Sequence, residues 1–265
     1  MSGRGRARIA VWEGGSLWLL ETGQGFGETG FHAHHAVQVT IALGGRFTLA
    51  TEEETVSAPV AAVAPDAPHR FESDGLIGFL FVEPESRAGR QIAARLLGGR
   101  EIVAVEMPLP DNELAQLRSA LDDGSGDALL ADAGRALIEA LAGEAGPVRL
   151  PDARVRGVIE AAAARLDEPL RLPEAAAAAG LSPGRLRHLF AEETGLPFKS
   201  YLLWLRLAKA VGAYGAGANL TEAAHEAGFA DSAHFSRTFR RTFGAPATAL
   251  KRTSPYVQSR PANRA

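Results

Sequence analysis

One unit occurs twice in the C-terminal third of the chain. Glu174-Ala175-Ala176 followed by Ala179-Gly180-Leu181 recurs as Glu222-Ala223-Ala224 followed by Ala227-Gly228-Phe229, at an offset of 48 residues. Past a one-residue insertion the offset is 49, and Leu186, Leu189, Phe190, Gly195 and Pro197 align with Phe235, Thr238, Phe239, Gly244 and Pro246. A duplicated pattern of this kind specifies one supersecondary unit built twice.

Each copy has the signals of a helix-turn-helix. A short alanine-rich helix ends at Gly180 or Gly228, a residue free to take the left-handed conformation that stops a helix. Ser182, with Pro183 at the first helical position, and Asp231 are then placed to cap the following helix. In that second helix, three- and four-residue spacing puts Leu186, Leu189 and Phe190, or Phe235 and Phe239, on an inward face. Arg185, Arg187 and His188 in the first copy, and Ser232, Ser236, Arg237 and Arg240 in the second, supply the polar side. Those groups are donors suited to base edges and phosphates.

Charge agrees with this division. Residues 1–150 hold 12 Lys and Arg against 21 Asp and Glu, a balance of −9, whereas residues 151–265 hold 16 against 10, a balance of +6. A chain with a formal net charge of −3 therefore concentrates positive charge on its repeated helices, as a polyanion-binding segment requires.

The stretch from Val155 to Arg252 resembles the DNA-binding domain of AraC/XylS transcriptional regulators. The resemblance rests on "EAAHEAGFADSAHFSRTFRRTFGAPATALKR", with "LPEAAAAAGLSPGRLRHLFAEETG" and "SYLLWLRLAKA" in support. It implies two helix-turn-helix units joined by a helix from about Phe198 to Tyr214, with double-stranded DNA as partner. RNA polymerase and a second copy of the chain are further partners to expect.

The first half has strand character up to about Val105. Val37, Val39, Ile41 and Leu43 alternate with Gln38, Thr40 and Ala42, and Gly44-Gly45 reads as a hairpin. Further strand-like runs surround it, and the pattern suggests a small antiparallel barrel or sandwich. Helical spacing follows in "ESRAGRQIAARLLGG", "NELAQLRSALDD" and "DALLADAGRALIEALAG", and Gly143–Asp152 reads as a linker. The acidic run Glu52–Glu54 fits a solvated hairpin tip, and Trp12 and Trp18 fit the barrel core, with lining of a pocket as the alternative.

This half resembles the cupin-like sensor domain often attached to such regulators, through "FHAHHAVQVTIALGG" and "APDAPHRF". His32, His34 and Gln38 share strand parity and His69 is contributed by the second motif, whereas His35 has opposite parity. The four are expected to wall an effector pocket. Three imidazoles and an amide oxygen also make a divalent metal the alternative occupant, although metal-binding cupins usually place a carboxylate where Gln38 stands.

The expected architecture is α+β: a cupin-like antiparallel β-barrel with following helices, then an all-α domain with two helix-turn-helix units. Its boundaries fall at 1–105 for the sensor, 106–150 for a helical connector and linker that could dimerise, 151–255 for the DNA-binding domain, and 256–265 for a tail. The expected function is sequence-specific transcriptional regulation under control of a small molecule. The competing reading is a metal-dependent cupin enzyme fused to a DNA-binding domain. The absence of cysteine and of any long apolar run points to a cytoplasmic protein without a membrane partner, no bound cofactor is required, and neither a P-loop nor G-x-S-x-G occurs. The glycines of Gly23–Glu28 read as barrel turns, since a dinucleotide fingerprint needs a different spacing and context.

Overall fold

Alternating apolar and polar residues in the first half build an antiparallel sheet. The computed structural model describes residues 6–22, 28–122, 126–144, 148–166, 168 and 170–252. The strands are β1 (Arg6–Trp12), β2 (Gly15–Thr22), β3 (Val37–Ala50), β4 (Thr55–Val56), β5 (Val60–Val63), β6 (Arg70–Val82) and β7 (Ile102–Ala104). They hydrogen-bond in the order β1-β2-β6-β3-β5-β7, with β4 on β3. Among the described residues this cupin-like sheet stays open, with β1 and β7 as its ends.

Register gives the sheet two chemically different faces. Gln38 stands opposite Phe81 and Thr40 opposite Phe79, while Trp18 is also opposite Phe79. Period-two alternation turns Val37, Val39, Ile41, Leu80, Val82, Leu17 and Leu19 the other way. These aliphatics form one core with Ile92, Leu117, Leu130, Leu137 and Leu141. Those partners lie on or beside α1 (Arg87–Ile92, extended by a π-helical turn to Leu97), α2 (Asp111–Ser119) and α3 (Asp127–Ala142). At about 1.5–3 kcal/mol for each fully buried aliphatic side chain, this face supplies the domain's main driving force.

Gly44 and Gly45 do not turn the chain. Strand β3 runs straight through them, with a register shift between Ala42 and Gly44 and with Gly45 paired to Gly75. A Cβ on Gly45 would lie 2.1 Å from the Asp74 carbonyl oxygen, so the glycines permit a bulge and close backbone approach in place of the expected hairpin. The turn comes later, at Glu52–Glu54, where Thr51 Oγ1 accepts from the Glu53 and Glu54 amides at 3.2 and 3.1 Å.

Trp12 packs on α3 through Gly134, where a Cβ would meet the indole at 2.5 Å. Two arginines on β1 satisfy carbonyls just beyond α2: Arg8 donates to Ala120 O at 2.9 Å and Arg6 to Leu121 O at 3.3 Å. Arg8 also pairs with Asp127 at 2.8 Å, joining the sheet to the start of α3.

The remaining helices are α4 (Ala153–Ala163), α5 (Leu172–Ala178), α6 (Pro183–Thr194), α7 (Phe198–Gly215), α8 (Leu220–Glu226), α9 (Ser232–Phe243) and α10 (Thr248–Arg252). By contacts, the described residues up to Val148 group with Gly215–Gly217 and those from Phe239 on, and Arg149–Tyr214 groups with Ala218–Thr238. In the second group Phe190 meets Phe198 and Tyr201 edge-on at 5.2 and 5.3 Å, over a core of Val155, Val158, Leu186 and Leu189. The carboxylate of Glu193, buried on α6, accepts from Arg149 and from the Asp152 amide, fixing the start of this unit. Phe235 lies against Phe229 at 5.5 Å, and Phe235 and Phe239, on the inward face of α9, are both buried. Of the expected segments, the tail 256–265 lies outside the described residues, as do residues 23–27 of the glycine-rich stretch and 145–147 of the linker.

Candidate functional site

The two copies of the repeated unit start and stop their helices by equivalent means. Gly180 and Gly228 have φ of 64° and 75°, the left-handed region that a side chain disfavours. Glu174 accepts from the Arg171 amide at 3.3 Å, and its counterpart Glu222 accepts from the Asn219 amide at 2.9 Å. Ser182 Oγ accepts from the Arg185 amide at 3.2 Å at the head of α6, and Asp231 Oδ1 from the His234 amide at 2.6 Å at the head of α9. These caps satisfy the first free amides of α6 and α9 and so set where each helix begins.

The inward and outward faces divide as the spacing requires. On α6, Leu186, Leu189 and Phe190 are buried while Arg185, Arg187 and His188 are exposed. On α9, Phe235 is buried, Arg237 and Arg240 are exposed, and Ser232 and Ser236 are half-buried. Among the described residues, the side chains of Arg185, Arg187, Arg237 and Arg240 enter no hydrogen bond or ion pair. Each of these guanidinium groups keeps donors of the kind that bind phosphates and base edges.

The second constellation lies on the sheet's polar and aromatic face. His32 and His69 form an isolated antiparallel bridge, each amide donating to the other's carbonyl at 2.9 Å. Their rings lie 4.3 Å apart and that of His34 is 5.0 Å from His69. All three rings are buried, and one ring nitrogen from each lies within 4.8 Å of those of the other two. Gln38 accepts from His34 Nε2 and donates to Thr40 Oγ1, both at 2.9 Å. Phe81 meets His34 edge-on at 5.2 Å and Trp18 at 5.0 Å.

Burial lowers the pKa of each clustered histidine: His34 to about 4 and His69 to about 3, with neighbouring imidazoles adding to the effect. His32 is lowered as well, and its bond to Gly30 only partly opposes burial. The cluster is therefore uncharged near neutrality.

His35 has the opposite environment. Burial alone would depress it, but Asp66 at 2.8 Å and Glu85 at 2.7 Å outweigh burial and raise it to about 9. Glu83 nearby is raised to about 7 by burial and by the charges of Glu85 and Glu13. The structure thus brings His32, His34, Gln38 and His69 together and leaves His35 in a separate carboxylate clamp. Thr40 belongs to the histidine-bearing face and was not expected there, although it carried the signal of shared parity with Gln38; Trp18, read first as core and second as pocket lining, is buried on that same face.

Residues 175–253 match the family model described as a helix-turn-helix domain, which is of the AraC type. Nearly the whole chain is similar in fold to ToxT from Vibrio cholerae O395, at 10% identity and a TM-score of 0.55, covering 95% of this chain and 99% of ToxT. ToxT from V. cholerae strain SCE256 with an unsaturated fatty acid bound is likewise similar, at 13% identity and a TM-score of 0.51, covering 97% of each chain.

Proposed function

We propose that this chain, whose residues 175–253 match a helix-turn-helix domain, is a transcriptional regulator of the AraC type that binds DNA sequence-specifically and responds to a small molecule held by its N-terminal sheet domain. The observation that carries the reading is the duplicated capped unit presenting Arg187 and His188 on α6 and Arg237 and Arg240 on α9. Helix α7, about 27 Å long from its 18 residues at about 1.5 Å each, spaces the two units on a scale close to one turn of DNA, about 34 Å. Each helix then reads one major-groove segment on the same side of the duplex.

The buried face of His32, His34, Gln38, His69, Thr40 and Trp18 supports the sensing half of the reading. These residues are buried beside Phe79 and Phe81, and such a mixture of polar and aromatic groups can orient and hold a small molecule. A fold similar to that of ToxT with a bound fatty acid is compatible with such an effector. Control follows if the effector binds one arrangement of the protein more tightly than another, since only differential affinity shifts a population. Cytoplasmic residence, contact with RNA polymerase and homodimerisation are the finer expectations of this reading.

Arg237 can donate a bidentate pair to guanine, and Arg240, one turn further on, is suited to phosphate. Arg237→Ala is expected to lose about 1–3 kcal/mol of discrimination at one or two base pairs. Arg240→Ala should weaken all sequences alike and reduce the salt slope by about one unit. Fluorescence anisotropy over an operator mutant series measures both, and unchanged relative preference in Arg237→Ala contradicts the assigned groove face.

A further inference from the structure

Gly180 and Gly228 end α5 and α8 in the same left-handed conformation, yet their surroundings differ. A Cβ on Gly180 would meet nothing within 4 Å. One on Gly228 would lie 2.4 Å from the Leu166 carbonyl oxygen and 3.3 Å from Arg206 Nε. Stopping a helix needs only the left-handed φ, which both glycines have. The close packing at Gly228 is a second constraint, and it joins segments far apart in sequence.

Leu166 follows the end of α4, and its side chain is buried with Val158, Leu186 and Phe190 in the core of the first copy. Its carbonyl oxygen accepts from Arg206 Nε, in the middle of α7, at 3.4 Å. The same oxygen faces the backbone of Gly228, in the turn between α8 and α9. One carbonyl of the first copy therefore meets both the joining helix and the turn of the second copy. Only a residue without a side chain lets that turn come so near, and the Arg206 guanidinium closes the contact from the α7 side.

The contact supplies a restraint that α7 alone lacks. Phe198, Tyr201 and Leu205 anchor the start of α7 in the core of the first copy, and Tyr214 meets Phe235 of α9 at 6.5 Å. A joining helix sets how far apart the two copies lie, but turns at its ends leave rotation about its axis to be fixed by a second point of attachment. The Leu166, Arg206 and Gly228 contact is such a point. For two linked DNA-reading modules this matters, because linkage raises affinity only where both can engage at once, and a stiff link makes that gain depend on the separation of their sites.

We propose that Arg206 is a positioning residue for DNA reading: by holding the Leu166 carbonyl against the Gly228 turn it fixes α6 relative to α9 and so sets the spacing of the two DNA blocks that the chain prefers. The spacing clause rests on the DNA-reading function proposed above.

The test uses the full chain, which has no cysteine, so that Glu192→Cys on α6 and Ala233→Cys on α9, both exposed, each take one spin label. Without DNA, electron-electron distance measurements should give one narrow distribution in this background and a broader one once Arg206→Ala is added, with circular dichroism unchanged. The second readout is affinity for duplexes carrying the selected blocks about 10 base pairs apart, in which one added base pair moves the second block by about 3.4 Å and turns it by about 35°. That insertion should weaken wild-type binding about 10-fold or more and Arg206→Ala binding less than about 3-fold. Gly228→Ala should relax spacing in the same way, and if it fails to fold, Arg206→Ala decides alone. A narrow label distance together with an intact spacing preference in Arg206→Ala overturns the proposal. Equal weakening at every spacing, with the salt slope reduced by about one unit, makes Arg206 a phosphate contact and overturns it as well. A wild-type chain that selects no paired blocks instead counts against the DNA-reading function, while the label distances still decide whether Arg206 holds α6 and α9 in one arrangement.

Discussion

Phe235 and Arg237 lie two residues apart on α9, one buried and the other exposed. Phe235→Ala removes a ring packed against Phe229 and Tyr214, at an expected cost of about 3–5 kcal/mol, whereas Arg237→Ala should leave thermal unfolding nearly unchanged. Paired melts of the two variants check the division between folding and reading. His35 makes a prediction of another kind. Its pKa in the folded protein, about 9, lies above its ordinary value of 6.5, so its contribution is full below about pH 6.5 and is lost as pH rises through about 9. The shift corresponds to a contribution on the order of 3 kcal/mol. Glu83 acts in the same direction: a buried carboxyl raised to about 7 favours folding when protonated and opposes it as pH rises. Urea midpoints should therefore fall between pH 7 and pH 9.5, with a shallower fall in His35→Gln, and an equal slope in that variant would remove His35 as the source. Strand parity made the pairing of His32, His34 and Gln38 legible from sequence. The clamp was not legible, because Asp66 and Glu85 reach His35 from 31 and 50 residues away.

At the scale of elements, helices announced themselves and strand details did not. Ser182 and Asp231 cap α6 and α9 as their positions foretold, since capping is decided within a few residues. Gly44-Gly45 was ambiguous, because a glycine pair serves a turn or a bulge equally well. Only the pairing of β3 with β6, some thirty residues further along, settles the matter. Glycine substitutions separate these uses. Gly45→Ala drives a methyl into the Asp74 carbonyl, where only backbone movement makes room, and should cost about 1–3 kcal/mol. Gly157→Ala, in an exposed turn of α4 with nothing within 4 Å, should stabilise by about 0.5–1 kcal/mol. Urea denaturation of both variants should give shifts of opposite sign, and a neutral Gly45→Ala would mean the bulge is not constrained there.

For the whole molecule, the sign change in charge between the two halves marked two kinds of partner, and the duplicated unit identified one of them. The open path of the sheet and the grouping of Phe239 with the first unit depend on contacts between distant segments, which periodicity does not encode. Selection of randomised duplex DNA by the full chain, followed by sequencing, tests whether α6 and α9 read DNA as a pair. The enriched duplexes should contain two short preferred blocks centred about 10 base pairs apart, one for each helix-turn-helix unit, with affinity falling steeply as salt rises. A pool that stays random through successive rounds, or binding indifferent to salt, would contradict the assignment of α6 and α9 as a paired DNA-reading surface.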